Sequence, residues 1–123
     1  MDKICTSLEQ SKKLVELGID ENTADMCWSM DMPDLPTLLA YPITDCDNWE
    51  YKIPAWSFTA LIELMPDKIS INNESYYLSF TKKSVEFRGP ITWDGQKTKS
   101  FEMDNILDAA FEMVVWLKKN NKI

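Results

Sequence analysis

The chain has 123 residues, 45% of them apolar and 27% charged, with a formal charge of −7, which is ordinary globular usage and argues against disorder. It contains no histidine and only three glycines, Gly18, Gly89 and Gly95. That excludes Ser-His-Asp and Cys-His nucleophilic chemistry, His-ligated zinc and a glycine-rich phosphate loop. The longest apolar run, Met113 to Leu117, is far short of the ~20 residues of a membrane span, and no apolar stretch follows Met1-Asp2-Lys3 as in a signal peptide. A single cytoplasmic domain over residues 1–123 is the expectation.

Thr6-Ser7-Leu8-Glu9 has the spacing of a capping box, with Thr6 as N-cap, and opens a first helix running to about Leu17. Gly18 is placed to end it in the left-handed conformation, with Ile19 folding back on Leu14. Met26, Trp28, Met30 and Met32 then alternate with Cys27, Ser29 and Asp31, the period of a strand. A Met and aromatic stripe of this kind is usually core; left uncovered, it is a contact patch suited to a partner or a second copy. Residues 33–52 contain three prolines and are read as irregular.

A second helix follows Pro54, with Ser57 as N-cap and Trp56 and Leu61 as a hydrophobic staple; Phe58, Leu61, Ile62 and Met65 share one face before Pro66 stops it. Strands are predicted at Ile69–Ile71, at Tyr76–Phe80, and at Val85–Phe87. Two more are expected on either side of an Asp94-Gly95 hairpin turn, at Ile91–Trp93 and Lys97–Phe101. Asp104 is the expected N-cap of a last helix whose buried face is Ile106, Ala110, Met113 and Leu117. The predicted fold class is therefore α+β: an antiparallel sheet of about four to five strands, with three helices packed mainly on one face.

Three groups of residues invite a functional reading. Between Leu14 and Tyr51 there are nine acids and no base. Within that segment Asp20, Glu21, Asp25, Trp28, Met30 and Asp31 are the candidate interaction surface, acidic and partly aromatic, and suited to a basic protein partner. Direct nucleic-acid binding is disfavoured, because no dense basic stripe exists to neutralise phosphates. Asp45, Asp47 and Glu50 are weak candidates for a hard-cation site, lacking the spacing and central glycine of an EF-hand loop. Asp104, Asp108 and Glu112 recur every four residues, a repulsive spacing on a helix. Their ordinary explanation is capping and the helix dipole. Cys5, Cys27 and Cys46 lack metal or redox spacing and are read as free thiols. No cofactor is expected.

The run Ile4-Cys5-Thr6-Ser7-Leu8-Glu9-Gln10-Ser11-Lys12-Lys13-Leu14-Val15-Glu16-Leu17-Gly18-Ile19-Asp20, followed by Thr23-Ala24-Asp25-Met26, resembles the opening of a family of small hypothetical proteins of gut bacteria and their phages and mobile elements. Ile53-Pro54-Ala55-Trp56-Ser57 with Leu61, and Asp104-Asn105 through Trp116-Leu117-Lys118, resemble that family's middle and closing segments. The resemblance implies an accessory protein that acts by binding, and assigns no activity, cofactor or catalytic residue. A non-enzymatic interaction or regulatory module is the expected function. The alternatives are a small carboxylate-based or metal-dependent enzyme, using residues such as Asp45, Asp47, Asp104 and Asp108, and a structural subunit that dimerises through an apolar face.

Overall fold

The computed structural model describes residues 3–42 and 52–123. The class is α+β, as expected, but the strands fall into two antiparallel sheets of three and four strands. The chain divides into two compact units, Met1–Leu61 and Ile62–Ile123.

The first unit opens with α1, Leu8–Glu16. Its capping box lies one residue later than the sequence suggested: Ser7 accepts from the Gln10 amide at 3.2 Å, and the Gln10 side chain accepts from the Ser7 amide at 3.0 Å. Both Thr6-x-x-Glu9 and Ser7-x-x-Gln10 fit the motif. The second prevails because Thr6 is fully buried and its hydroxyl is engaged inside the unit, accepting from the Trp56 amide at 3.1 Å. The helix ends as expected. Gly18 has φ +88°, its amide reaches the Val15 carbonyl at 3.0 Å, and the Ile19 amide reaches Leu14 at 3.0 Å, the paired bonds of a Schellman stop.

A 3₁₀ turn at Glu21–Thr23 leads to β1, Met26–Ser29. Thr37–Leu39 forms β2 and Lys52–Ala55 forms β3, and the sheet order is β2-β1-β3. Cys27 pairs with Leu39 on one side and with Pro54 on the other. Pro54 is tolerated because β3 is an edge strand. The strand expected through Met32 stops at Ser29, and its buried residue is Cys27; Met26, Trp28 and Met30 are half-buried and Met32 is exposed. Alternation was legible here, but the choice of inner face was inverted. Ser57 caps α2, Phe58–Glu63, by accepting from the Ala60 amide at 3.2 Å. Trp56 and Leu61, the expected staple, are both fully buried.

The second unit is a four-stranded meander with a closing helix. β4 (Lys68–Ile71), β5 (Glu74–Phe80), β6 (Ser84–Thr92) and β7 (Gly95–Glu102) pair in chain order. Ile71 pairs with Glu74, so Asn72-Asn73 is a two-residue loop; both have positive φ, +52° and +66°, the conformation of a type I′ hairpin turn that Asn tolerates. The two short strands predicted at Val85–Phe87 and Ile91–Trp93 are one continuous strand, β6, irregular between Arg88 and Ile91 where Gly89-Pro90 interrupts the ladder. The last hairpin turn is Trp93-Asp94 rather than Asp94-Gly95, since Gly95 (φ +121°) already pairs with Thr92.

The closing helix, α3, spans Ile106–Lys119 and packs on β6 and β7. Its N-cap is Asn105, not Asp104, with Oδ1 accepting from the Asp108 amide at 2.9 Å. Lys99 of β7 lies 5.1 Å from the centre of the Trp116 ring of α3 and 4.7 Å from that of Phe101, a cation held between two aromatic faces. At the other end Asn121 (φ +56°) supplies the left-handed residue, and the Lys122 amide reaches Leu117 at 2.8 Å. The Lys122 ammonium continues to the Ser70 carbonyl at 2.6 Å, fastening the helix end to β4.

Candidate functional site

Each acid of the candidate surface is placed by a different local need of the first unit. Asp20 is the N-cap of the 3₁₀ turn, accepting from the Asn22 amide at 2.9 Å. Asp25 holds the start of α2: Oδ1 accepts from the Ser57 amide at 2.9 Å and Oδ2 accepts from the Ser57 hydroxyl. This carboxylate thus extends the cap of a helix 32 residues further along the chain. Asp31 pairs with the Lys52 ammonium, 3.1 Å away, across the β1–β3 ladder, and Lys52 also donates to the Ser29 hydroxyl at 3.3 Å. Glu21 lines a groove together with Lys12, Val15, Glu16, Lys52, Ile53 and Pro54. The groove has a volume of about 290 Å³, and its lining combines apolar Val15, Ile53 and Pro54 with charged side chains of both signs.

The aromatic and sulfur members are less exposed than Asp20, Asp25 and Asp31. Trp28 Nε1 donates to the Thr6 carbonyl at 3.0 Å, and both Trp28 and Met30 are half-buried. Thr6 is the centre of this arrangement. Its amide donates to the Trp56 carbonyl at 2.9 Å, its hydroxyl accepts from the Trp56 amide at 3.1 Å, and Thr6 Oγ1 and Ser11 Oγ share a bond of 2.7 Å. Trp56 Nε1 in turn donates to Thr23 Oγ1 at 2.9 Å. A buried polar network is stabilising only when every member has a partner, and here each buried polar side-chain atom among the described residues has one.

Cys5 and Cys27 are buried cysteines. Burial pushes the Cys5 thiol above its usual range; the Asp25 carboxylate adds to that and the Lys3 ammonium opposes it. A thiol held protonated is a poor nucleophile. The Cys5 Sγ–H donates instead to the Thr6 carbonyl at 3.4 Å.

The remaining candidates are not gathered. Asp45, Asp47 and Glu50, with Cys46, lie outside the described residues. Asp104 precedes α3, so the expected four-residue stripe with Asp108 and Glu112 is not continuous on the helix. Asp108 Oδ2 accepts from the Asn105 side chain at 3.0 Å. Among the described residues no three Asp, Glu, Cys or His side chains stand close enough to share a metal ion. No helix among them is long and apolar enough to cross a membrane.

What the arrangement does create is a partition of charge. Residues 1–61 contain eleven acids and four bases, a net −7; residues 62–123 contain nine of each, a net 0. The whole formal charge of the chain therefore belongs to the first unit. Glu16 and Asp34 are exposed and Glu21 is half-exposed there.

Sequence reasoning missed two features. One is the Thr6 network, whose signal was a Thr and a Ser five apart beside apolar positions. The other is a set of exposed apolar side chains around β2: Met32 (61% exposed), Leu35 (63%) and Tyr41 (44%). Leu35 and Tyr41 fell in the stretch read as irregular, and Met32 in the expected strand. No protein-family model, no curated protein and no solved structure matches the chain.

Proposed function

We propose that the protein is a non-enzymatic interaction module of the cytoplasm, an accessory protein of the bacterial and mobile-element kind, in which the first unit presents an acidic surface to a basic protein partner. The observation that carries this reading is the partition of charge: −7 on residues 1–61 against 0 on residues 62–123. A field concentrated on one unit steers a basic partner to that unit and speeds encounter, and it decays over a Debye length of about 8 Å at physiological salt. The acids have a second duty, because Asp20 and Asp25 cap and Asp31 pairs with Lys52. The steering charge that folding does not use is carried, among the described residues, by side chains such as Glu16, Glu21 and Asp34.

The experiment follows from that division. The full chain and a Glu16→Gln, Glu21→Gln, Asp34→Asn variant are compared as baits in nuclease-treated host lysate, at low and at high salt. A basic protein captured by the wild type, released by salt and lost in the variant at unchanged melting temperature is the expected result. A partner held equally by both baits and indifferent to salt refutes the acidic surface.

A further inference from the structure

We infer that the chain associates head to tail with a second copy of itself, the β6–β7 hairpin tip and the end of α3 in one copy seating on the acidic first unit of the other. The inference uses the partition of charge described above and does not depend on the basic partner proposed from it.

The zero net charge of the second unit, every residue of which is described, conceals a polarity. β5 begins, β6 ends, β7 begins and α3 ends at the same end of this unit, where Lys97 pairs with Glu74 at 3.2 Å and Lys122 reaches Ser70 of β4. Cut at the middle of its strands and helix, the half nearer that end comprises residues 69–76, 88–99 and 113–123. It has six bases against two acids, Glu74 and Asp94, a net +4; the other half has three bases and seven acids, a net −4. Lys118 and Lys119 suit the dipole of α3 on their own account. Arg88, Lys97 and Lys99 of the hairpin add to them from a separate element.

The basic end also carries an apolar anchor. Trp93 is 98% exposed and Ile91 80%, the two most exposed large apolar side chains among the described residues. Exposed apolar residues scattered singly need no explanation, but these stand two apart on one braced turn. The Thr92 hydroxyl donates to the Asp94 carboxylate and to the Gly95 carbonyl, and the Gln96 side chain donates to the Gly89 carbonyl at 3.1 Å. A tip held this way presents Trp93 with little ordering left to lose on binding, and Trp is among the residue types that dominate interface energies.

Charge decides what covers the tip. A basic end with an exposed aromatic suits an acidic protein surface, and the first unit of another copy is one, with a net −7. A phosphate chain needs a row of uncommitted bases; here Lys97 is paired, Lys99 lies over Phe101 and Trp116, and Lys122 holds Ser70. At physiological salt the Debye length of about 8 Å screens the repulsion between whole molecules, each of charge −7, more than the attraction between side chains in contact. The tip and the acidic unit are different surfaces, so the contact joins unlike patches.

Sedimentation velocity over a concentration series, at physiological and at high salt, tests this with the full chain and two variants. Trp93→Ser removes the anchor; Glu16→Gln, Glu21→Gln, Asp34→Asn lowers the charge of the acidic unit. The wild type is expected to self-associate at physiological salt and to dissociate at high salt, and each variant alone to associate at least about tenfold more weakly. Mixed, the two variants recover association, because one supplies an intact tip and the other an intact acidic unit. Trp93 is almost wholly exposed, so its loss leaves the fold in place; equal melting temperatures check this for both variants. A wild type that stays monomeric throughout overturns the inference, and oligo(dT) binding lost with Trp93→Ser would then name a nucleic acid as the occupant. A Trp93→Ser protein that associates like the wild type overturns the anchor. Self-association unaffected by the three acid substitutions overturns the first unit as the receiving surface.

Discussion

Replacing Gly89 by alanine tests the packing of the second unit with a sign as well as a size. Tyr77 pairs with Arg88 in the antiparallel ladder, so Tyr76 lies opposite Gly89. A Cβ built on Gly89 would stand 2.5 Å from Tyr76 Cε2, 2.7 Å from Cζ and 2.8 Å from Cδ2. Carbon atoms at rest sit about 3.5–4.0 Å apart, so the ring must move by roughly 1 Å. Tyr76 is buried, which leaves it little room to do so. Forcing a methyl into such a place costs about 1–3 kcal/mol. Gly89 is not among the positive-φ residues, so alanine meets no backbone strain; by itself the exchange would stabilise by about 0.4–1 kcal/mol through the unfolded chain. The balance is a net loss of about 1–2 kcal/mol, or on the order of 3–10 °C in melting temperature. Urea unfolding followed by circular dichroism measures it. A second measurement places the effect: in a Tyr76→Leu background the alanine should cost less, because the crowded ring is gone. A Gly89→Ala protein as stable as the wild type, or more so, would refute the close approach of ring and backbone.

Thr6→Val keeps the shape of a buried residue but removes the acceptor for the Trp56 amide and the partner of Ser11; a loss of about 1–3 kcal/mol is expected from the unsatisfied amide, and Thr6→Ser should restore most of it. For Asn121, in the left-handed conformation at the end of α3, glycine should be neutral or stabilising, whereas valine should cost about 1–2 kcal/mol, as thermal melts would show. Cys5 gives a pH dependence. Its folded pKa is raised, so its contribution is full below the unfolded value of about 8.5 and is lost as pH climbs through the folded one. The stability difference between wild type and Cys5→Ala should therefore shrink in the alkaline range, by up to about 1.4 kcal/mol per pH unit, and a difference that stays flat to pH 10 would count against it. Asp25→Ala should cost about 1 kcal/mol through the lost cap of α2, while Glu21→Gln, the same change in charge, should stay within about 0.5 kcal/mol; parallel melts of the two variants separate folding acids from surface acids.

Local signals explain what was legible in the sequence. The Schellman stop at Gly18, the Ser57 cap and the Asn-rich turn at 72–75 depend on a few neighbouring residues, and the structure has all three. The errors of one residue arose where two neighbours offered the same chemistry. Thr6 and Ser7 both satisfy the capping motif, and the distant Trp56 amide engages Thr6; Asp104 and Asn105 are both N-cap residue types, and it is Asn105 whose side chain bonds the Asp108 amide. Strand breaks misled differently: Gly89-Pro90 reads as a stop, yet an interrupted ladder carries β6 across it. The inner face of β1 was illegible because size suggested Met26 and Trp28, whereas the residue fully buried is Cys27.

The candidate surface was legible as charge and illegible as structure. Composition located the acidic excess within residues 14–51, and the first unit contains all of it. What composition could not give is that three of its acids are bonded within the fold: Asp20 to the 3₁₀ turn, Asp25 to Ser57 and Asp31 to Lys52. Those bonds join residues 2, 32 and 21 positions apart, and the two longer ones have no local signature. They also change how charge-neutralising variants must be interpreted. Removing Asp20 or Asp25 lowers the field and loosens a cap together, so a binding loss in such a variant has two causes. Removing Glu16, Glu21 or Asp34 lowers the field alone. An acidic surface that is partly capping and partly free can evolve its partner preference through the free members while the capping members keep the fold, and the two sets are separable by stability before any partner is known.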